Sequence, residues 1–164
     1  MYQEDKHTLF VSRGRKVFAG LFAHCITFFP QEIHCAPPAM MNELYRAVGE
    51  DVKNIHPMLD RWMDMAVVDC LPYLHYLQYL TYMQLGKRDL QTRALHNLER
   101  CIREDHFFGH LETAWNMLGQ CREIEHKPEE AMTCYRTSLE IRPRNNAANW
   151  HVQNLRNTAI RNGV

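Results

Sequence analysis

The sequence predicts an all-α fold, a helical-hairpin repeat array behind an α-helical N-terminal region. Three observations predict it. Apolar residues recur at spacings of three and four over most of the chain, prolines stand ahead of several of those runs, and one helix-pair plan occurs twice between residues 72 and 141. The 164 residues suit one ordinary domain. With 46% hydrophobic and 23% charged residues the composition is that of a folded chain. The expected division places an α-helical region at 1–71 and the repeats, with a C-terminal capping helix, at 72–162.

The first apolar run, KVFAGLFAHCITFF at 16–29, is too short to span a bilayer and carries His24 near its middle, so it reads as a buried element. Pro37 and Pro38 precede a helix with Met41, Leu44, Tyr45 and Val48 at helical spacing, stopped by Gly49. Pro57 opens a further helix whose Leu59, Trp62, Met63, Ala66 and Val67 share one face. Pro72 opens the next, which runs to Gly86 with Tyr73, Leu77, Leu80 and Gln84 on one side and Tyr76, Tyr79 and Met83 on another. It is apolar nearly all round and needs neighbours on more than one side. Its partner carries Leu90, Ala94, Leu98, Cys101 and Ile102. Ala94, Leu98 and Cys101 correspond, at an interval of 37, to Ala131, Tyr135 and Ser138.

Residues 112–145 form the better-defined pair. Gly119, Ala131 and Ser138 are small where two helices can approach, and Trp115, Leu118, Tyr135 and Leu139 supply bulk to fill the seam. Pro128 suits a first helical turn, where its missing N–H costs nothing, and Glu129 and Glu130 suit the positive end of the helix dipole. Pro143 ends the second helix.

These residues resemble the tetratricopeptide repeat, a helix-turn-helix unit of about 34 residues. Trp115, Leu118 and Gly119 stand at the family's first-helix positions, and Ala131, Tyr135, Ser138 and Pro143 at the positions that follow; Arg122 replaces the usual Tyr and Ser138 the usual Ala. Residues 146–162 resemble a following first helix without its mate, with Trp150 one place out of register, and read as a cap. The resemblance implies peptide binding in a groove lined by first helices, drawing on Asn116, Gln120 and Arg122 and, from the preceding unit, Tyr76 and Tyr79, although burial competes for the two tyrosines. The family's chaperone clamp is not expected, because Trp150 and Asn154 stand nearest its basic positions.

A second resemblance concerns the whole chain. WMDMAVVDCLPYLHYLQYLTY, LGQC and NNAANWH look like the C-terminal region of invertebrate proteins with a Mab-21-type nucleotidyltransferase fold. It implies a C-terminal regulatory fragment of a larger protein. The Gly-Ser turn and paired carboxylates of that fold's catalytic strand have no counterpart, so no nucleotidyl transfer is implied.

His24-Cys25 and His34-Cys35 put four candidate ligands within twelve residues, but adjacent side chains diverge and zinc pairs need two to four residues between them. SRGRK at 12–16 lacks the glycine spacing of a phosphate loop. No Cys or Ser sits on a recognisable turn with a base and an orienting acid. Six cysteines spread through predicted helices read as reduced thiols of a cytoplasmic protein. Net charge is +0, which excludes a global field for nucleic acid or acidic lipid. Arg142, Arg144, Arg156 and Arg161 form the one local asymmetry, and with Trp150 and His151 they could meet RNA, or simply complement a helix C-terminus. The reading is a non-catalytic protein-interaction or scaffold module, with a protein or peptide partner, no membrane, no metal and no cofactor.

Overall fold

The computed structural model describes residues 25–32, 34, 36–37, 40–46, 65–104, 109–161 and 163. In chain order it contains β1 (Cys25–Phe28), a 3-10 turn (Pro30–Glu32), α1 (Met41–Leu44), β2 (Ala66–Asp69), α2 (Cys70–Gln84), α3 (Arg88–Glu104), α4 (Leu111–Ile124), α5 (Pro128–Ile141) and α6 (Ala148–Arg161). The described chain is mostly helical, as expected, with a two-stranded sheet added.

That small sheet is an addition to the expected helices and leaves the all-α class standing. Ala66 and Val67, expected on a helix face, lie in β2, which pairs antiparallel with β1 through Ile26↔Val68 and Phe28↔Ala66. The β-branched cluster of Ile26, Thr27, Val67 and Val68 favours the pleat. Ala66 and Val68 are buried, and Ile26 and Phe28 pack against the same core, so one face of the ribbon covers the helices. Leu59, Trp62 and Met63 of that expected helix, with Pro57, lie outside the described residues, as do His24, Cys35, Val48, Gly49 and the SRGRK segment.

Two hairpins, α2–α3 and α4–α5, carry the stack. Their turns are alike. Gly86 at φ 66 and His126 at φ 59 hold the left-handed position, and in each turn the next amide bonds back five residues: Lys87 N–H to Tyr82 O at 2.9 Å, Lys127 N–H to Arg122 O at 2.9 Å. Such a residue satisfies the last helical carbonyls. The equivalence sets the interval between hairpins at 40 residues, Gly86 to His126, and corrects the expected 37. In the new register Gln91, Ala94, Leu95 and Leu98 match Ala131, Cys134, Tyr135 and Ser138, and all eight are buried.

The seam of the second hairpin is as expected from its small and large residues. A Cβ on Gly119 would lie 2.5 Å from the Tyr135 ring, so the closest approach of α4 and α5 requires glycine there. Ala131 and Leu118 are buried, and Ser138 Oγ donates to Glu112 O at 2.9 Å. Trp115 is only partly buried, with the Arg103 guanidinium 5.4 Å above its ring. Arg142, ahead of Pro143, is extended, which ends α5 at Ile141.

The first hairpin and the N-terminal elements share one core. Met40, Leu44, Ala66, Val68, Tyr73, Tyr76, Tyr79, Met117 and Cys121 belong to it. Asp69 turns its carboxylate across to the amides of Gly109 and His110, at 3.3 and 2.9 Å, and so ties the start of α2 to the start of α4.

Candidate functional site

Helices α2, α4 and α6 present a common face, and residues 40–46 sit on it. Pro37 O accepts the Met40 amide at 2.8 Å and starts the turn. Met40, Glu43 and Leu44 then fall on one side of α1, three and four residues apart, and all are buried. Tyr45 leaves the helical conformation, and its free carbonyl accepts the Trp150 indole N–H of α6 at 3.2 Å. Helix α1 thus stops at Leu44, short of the expected Gly49.

Glu43 is the centre of this contact, 2% exposed. Its Oε1 accepts from Asn116 Nδ2 of α4 at 2.8 Å. Burial disfavours the charged form and outweighs the Asn116 hydrogen bond and the positive charge of Arg46, so its pKa is pushed up to about 7. Asn116 Nδ2 also reaches Asn146 Oδ1 at 3.0 Å, while its own Oδ1 is buried without a hydrogen-bond partner. Asn146 in turn donates to Arg142 O at 2.8 Å and accepts from the Ala148 amide at 2.9 Å, joining the end of α5 to the start of α6.

A second chain of polar groups runs beside the first. Tyr76 OH of α2 donates to Gln120 Oε1 at 2.9 Å. Gln120 Nε2 lies 3.2 Å from His151 Nε2, which Asn42 Nδ2 also approaches at 3.4 Å. Two amide donors on Nε2 make it the acceptor, so the proton sits on Nδ1, 3.3 Å from Glu123 Oε1. Tyr135 OH donates to the same Glu123 oxygen, and its ring stacks on His151 with centroids 4.5 Å apart. Burial opposes ionisation of Glu123, but these hydrogen bonds win and hold its carboxyl below the ordinary range. For Tyr135, burial and then the Glu123 carboxylate push the phenol far up, and burial does the same to Tyr76.

A carboxylate orienting an imidazole is half of a nucleophile-activating relay. Here the outer nitrogen faces two amides, so the pair orders side chains. Four helices, α2, α4, α5 and α6, and the 40–46 turn meet on these groups, and each deletion would strand a buried partner.

The expected partner-contact residues fall elsewhere than on a free surface. Asn116 (0% exposed) and Gln120 (6%) are consumed by the contacts above. Arg122 has a side chain only 13% exposed, with Glu99, Glu125 and Glu130 at 2.7, 3.4 and 3.2 Å. It clamps α3, α4 and α5 together on another side of the molecule. Tyr76 and Tyr79 are wholly buried in the core. Of the C-terminal arginines, Arg142 pairs with Glu112 at 3.0 Å, and Arg144, Arg156 and Arg161 are exposed. His151, stacked and buried, cannot stack on a base.

Sequence reasoning missed Glu43, Glu123 and Asn146 and gave His151 a different neighbour. Two signals were there. Asn146 precedes an alanine-led helix, as a capping residue does, and Glu43 falls on the Met40–Leu44 side of its turn. Cys25 and His34 are both exposed; among the described residues no three metal-binding side chains cluster. Nor is any described helix long and apolar enough to cross a membrane. No protein-family model, no curated protein and no solved structure matches the chain.

Proposed function

We propose that the chain is a protein-interaction module whose working surface is the face formed by α2, α4 and α6. One observation carries the reading: this face already holds a short segment of polypeptide, residues 40–46. It does so with the means by which helical grooves hold peptides, apolar side chains buried between helices and polar side chains that meet the segment's backbone and its one acid. Trp150 reads the Tyr45 carbonyl, Asn116 reads the Glu43 carboxylate, and Met40 and Leu44 fill the apolar seat. The partner fitting such a seat is a single helical turn with an acidic residue flanked by apolar ones. Around it, Met41, Tyr45 and Trp150 leave an exposed apolar rim, 45%, 51% and 40% accessible.

The test is a selection of short displayed peptides on the purified chain. The expected winners carry an apolar residue, an acid three positions on and an apolar residue after it, and a free peptide of residues 36–48 competes with them. Winners that bind Asn116→Ala and Trp150→Ala proteins as well as wild type would contradict the assignment.

A second reading makes the chain the regulatory C-terminal part of a Mab-21-type protein. It is favoured by the described residues ahead of Cys70, which pack on the helices as two strands and short turns, as the remnant of a different lobe would. The mass of the endogenous protein by immunoblot tests it, and a band near 19.5 kDa counts against it.

A further inference from the structure

The 40–46 turn joins features that rarely coexist in a permanent core element. Its helix is four residues long, too short to persist without its seat. The residue at its centre is a buried carboxyl group that accepts a hydrogen bond from a neutral amide. Asn116, which meets it, keeps a buried oxygen without a partner. That oxygen can accept a hydrogen bond only from a donor, and a protonated Glu43 carries one.

We propose that residues 40–46 are a releasable plug on the α2/α4/α6 face, seated while Glu43 is protonated and loosened when it ionises. The proposal rests on the reading of this face as an interaction surface and adds its regulation. Seated, the turn occupies the place a partner's acidic turn would take. Released, it leaves the Asn116 amide, the Trp150 indole and the apolar seat open.

The groups facing Glu43 decide the direction. Arg46 is on its own turn, Tyr76 comes from α2, Glu112 from α4 and His151 from α6, while Asp69 of β2 is turned toward Gly109 and His110. Arg46 and His151 favour the carboxylate, Glu112 opposes it, and burial outweighs them all. A carboxyl raised from 4.5 to about 7 on docking favours the docked state fully below pH 4.5. It loses that contribution as the pH rises to about 7, a change of roughly two orders of magnitude in the docking equilibrium. His151 Nε2 faces the Asn42 and Gln120 amides beside the same turn.

Glu43→Gln isolates the ionisation of Glu43, because a neutral amide of the same shape keeps the seat filled and cannot ionise. Hydrogen exchange of the 40–46 amides, corrected for intrinsic rates, is measured on the full chain between pH 5 and pH 8. Wild-type protection is expected to fall at least tenfold with rising pH and that of Glu43→Gln to stay level. Equal pH dependence in both proteins, or none in either, overturns the proposal. As a second variant, Glu43→Lys should leave the turn unprotected throughout while α4 and α5 remain protected; a protected turn in that protein also overturns it. Exchange needs no partner, so a failure here leaves the peptide selection to judge the interaction surface by itself.

Discussion

Where α2 carries Tyr79, α4 carries Gly119, and where α3 carries Leu95, α5 carries Tyr135. The positions are equivalent by their turns, forty residues apart, yet the large aromatic ring has changed helix. In the first hairpin the ring on the first helix points its hydroxyl to the Cys121 carbonyl of the next unit, at 3.3 Å. In the second, the ring comes from the second helix, lies over Gly119 and reaches Glu123 and His151. The same backbone plan is thereby filled as an apolar joint once and as a polar one once. A hairpin packed by apolar bulk can be covered by any apolar surface, whereas the polar one accepts only neighbours that complete its hydrogen bonds. The difference explains why the recognition groups for residues 40–46 sit on α4 and α6.

The comparison breaks most easily at Tyr135. Tyr135→Ala removes a wholly buried ring and should cost about 3–5 kcal/mol in urea unfolding, and the same loss at the partly buried Trp115 should be smaller, about 1–2 kcal/mol. For Trp115 this revises the 3–5 kcal/mol that its place in the sequence pattern would suggest. Its indole is only partly buried, with Arg103 over the ring. Equal costs at the two sites would contradict the burial described.

Gly119→Ala should cost about 1–3 kcal/mol through its clash with Tyr135, despite the better helix propensity of alanine. Combined with Tyr135→Leu, which gives the second hairpin the leucine of the first, the clash should vanish. A cycle without positive coupling between the two would show that the small-against-large contact is not what sets the seam. Ala131→Leu tests the same seam from α5 and is expected to cost about 1–3 kcal/mol, since Ala131 is wholly buried.

Arg122→Glu sharpens the contrast between clamp and contact. Placing a fourth acid among Glu99, Glu125 and Glu130 should lower stability by about 1 kcal/mol, less in high salt, and leave peptide binding at the α2/α4/α6 face unchanged. Lost peptide affinity at full stability would return Arg122 to the partner surface.

Two further effects are in pH. Glu123, held below its ordinary value of 4.5, contributes stability that is present above pH 4.5 and lost as the pH falls through its folded value. Glu43 works from the other side, contributing below pH 4.5 and losing that contribution as the pH rises to about 7. Melting curves across pH should therefore lose their acid-side decline in part in Glu123→Gln and their fall toward neutrality in part in Glu43→Gln.

The helices of the array were legible because their signals are local. Pro72, Pro128 and Pro143, Gly86, and the apolar spacing of three and four each act within a turn or two of chain. The interval between hairpins was misread by three because a helical apolar pattern overlaps itself after three or four residues. Only the turn hydrogen bonds distinguish 37 from 40. The ribbon was missed for a related reason: Ala66 and Val67 continue the helical spacing of Trp62 and Met63, while their partners in β1 lie about forty residues earlier.

The site was less legible still. Asn116 and Gln120 were expected in a peptide groove because the tetratricopeptide resemblance puts them on a first-helix face, but that placement does not report what covers the face when the partner is Glu43 or Tyr76, 73 or 44 residues away. For Arg122 too the nearest partner is distant in sequence, its closest acid being Glu99 on another helix.

The contact between Glu43 and Asn116 is the joint on which the account of the α2/α4/α6 face depends, and a double-mutant cycle of Glu43→Ala and Asn116→Ala, read by urea unfolding, tests it most directly. The account predicts a coupling of about 1–3 kcal/mol, because each single change strands a buried polar partner and the double change removes both. Additive single effects would mean that residues 40–46 do not rest on this face, and the proposed surface would have no claim to recognise a segment of chain.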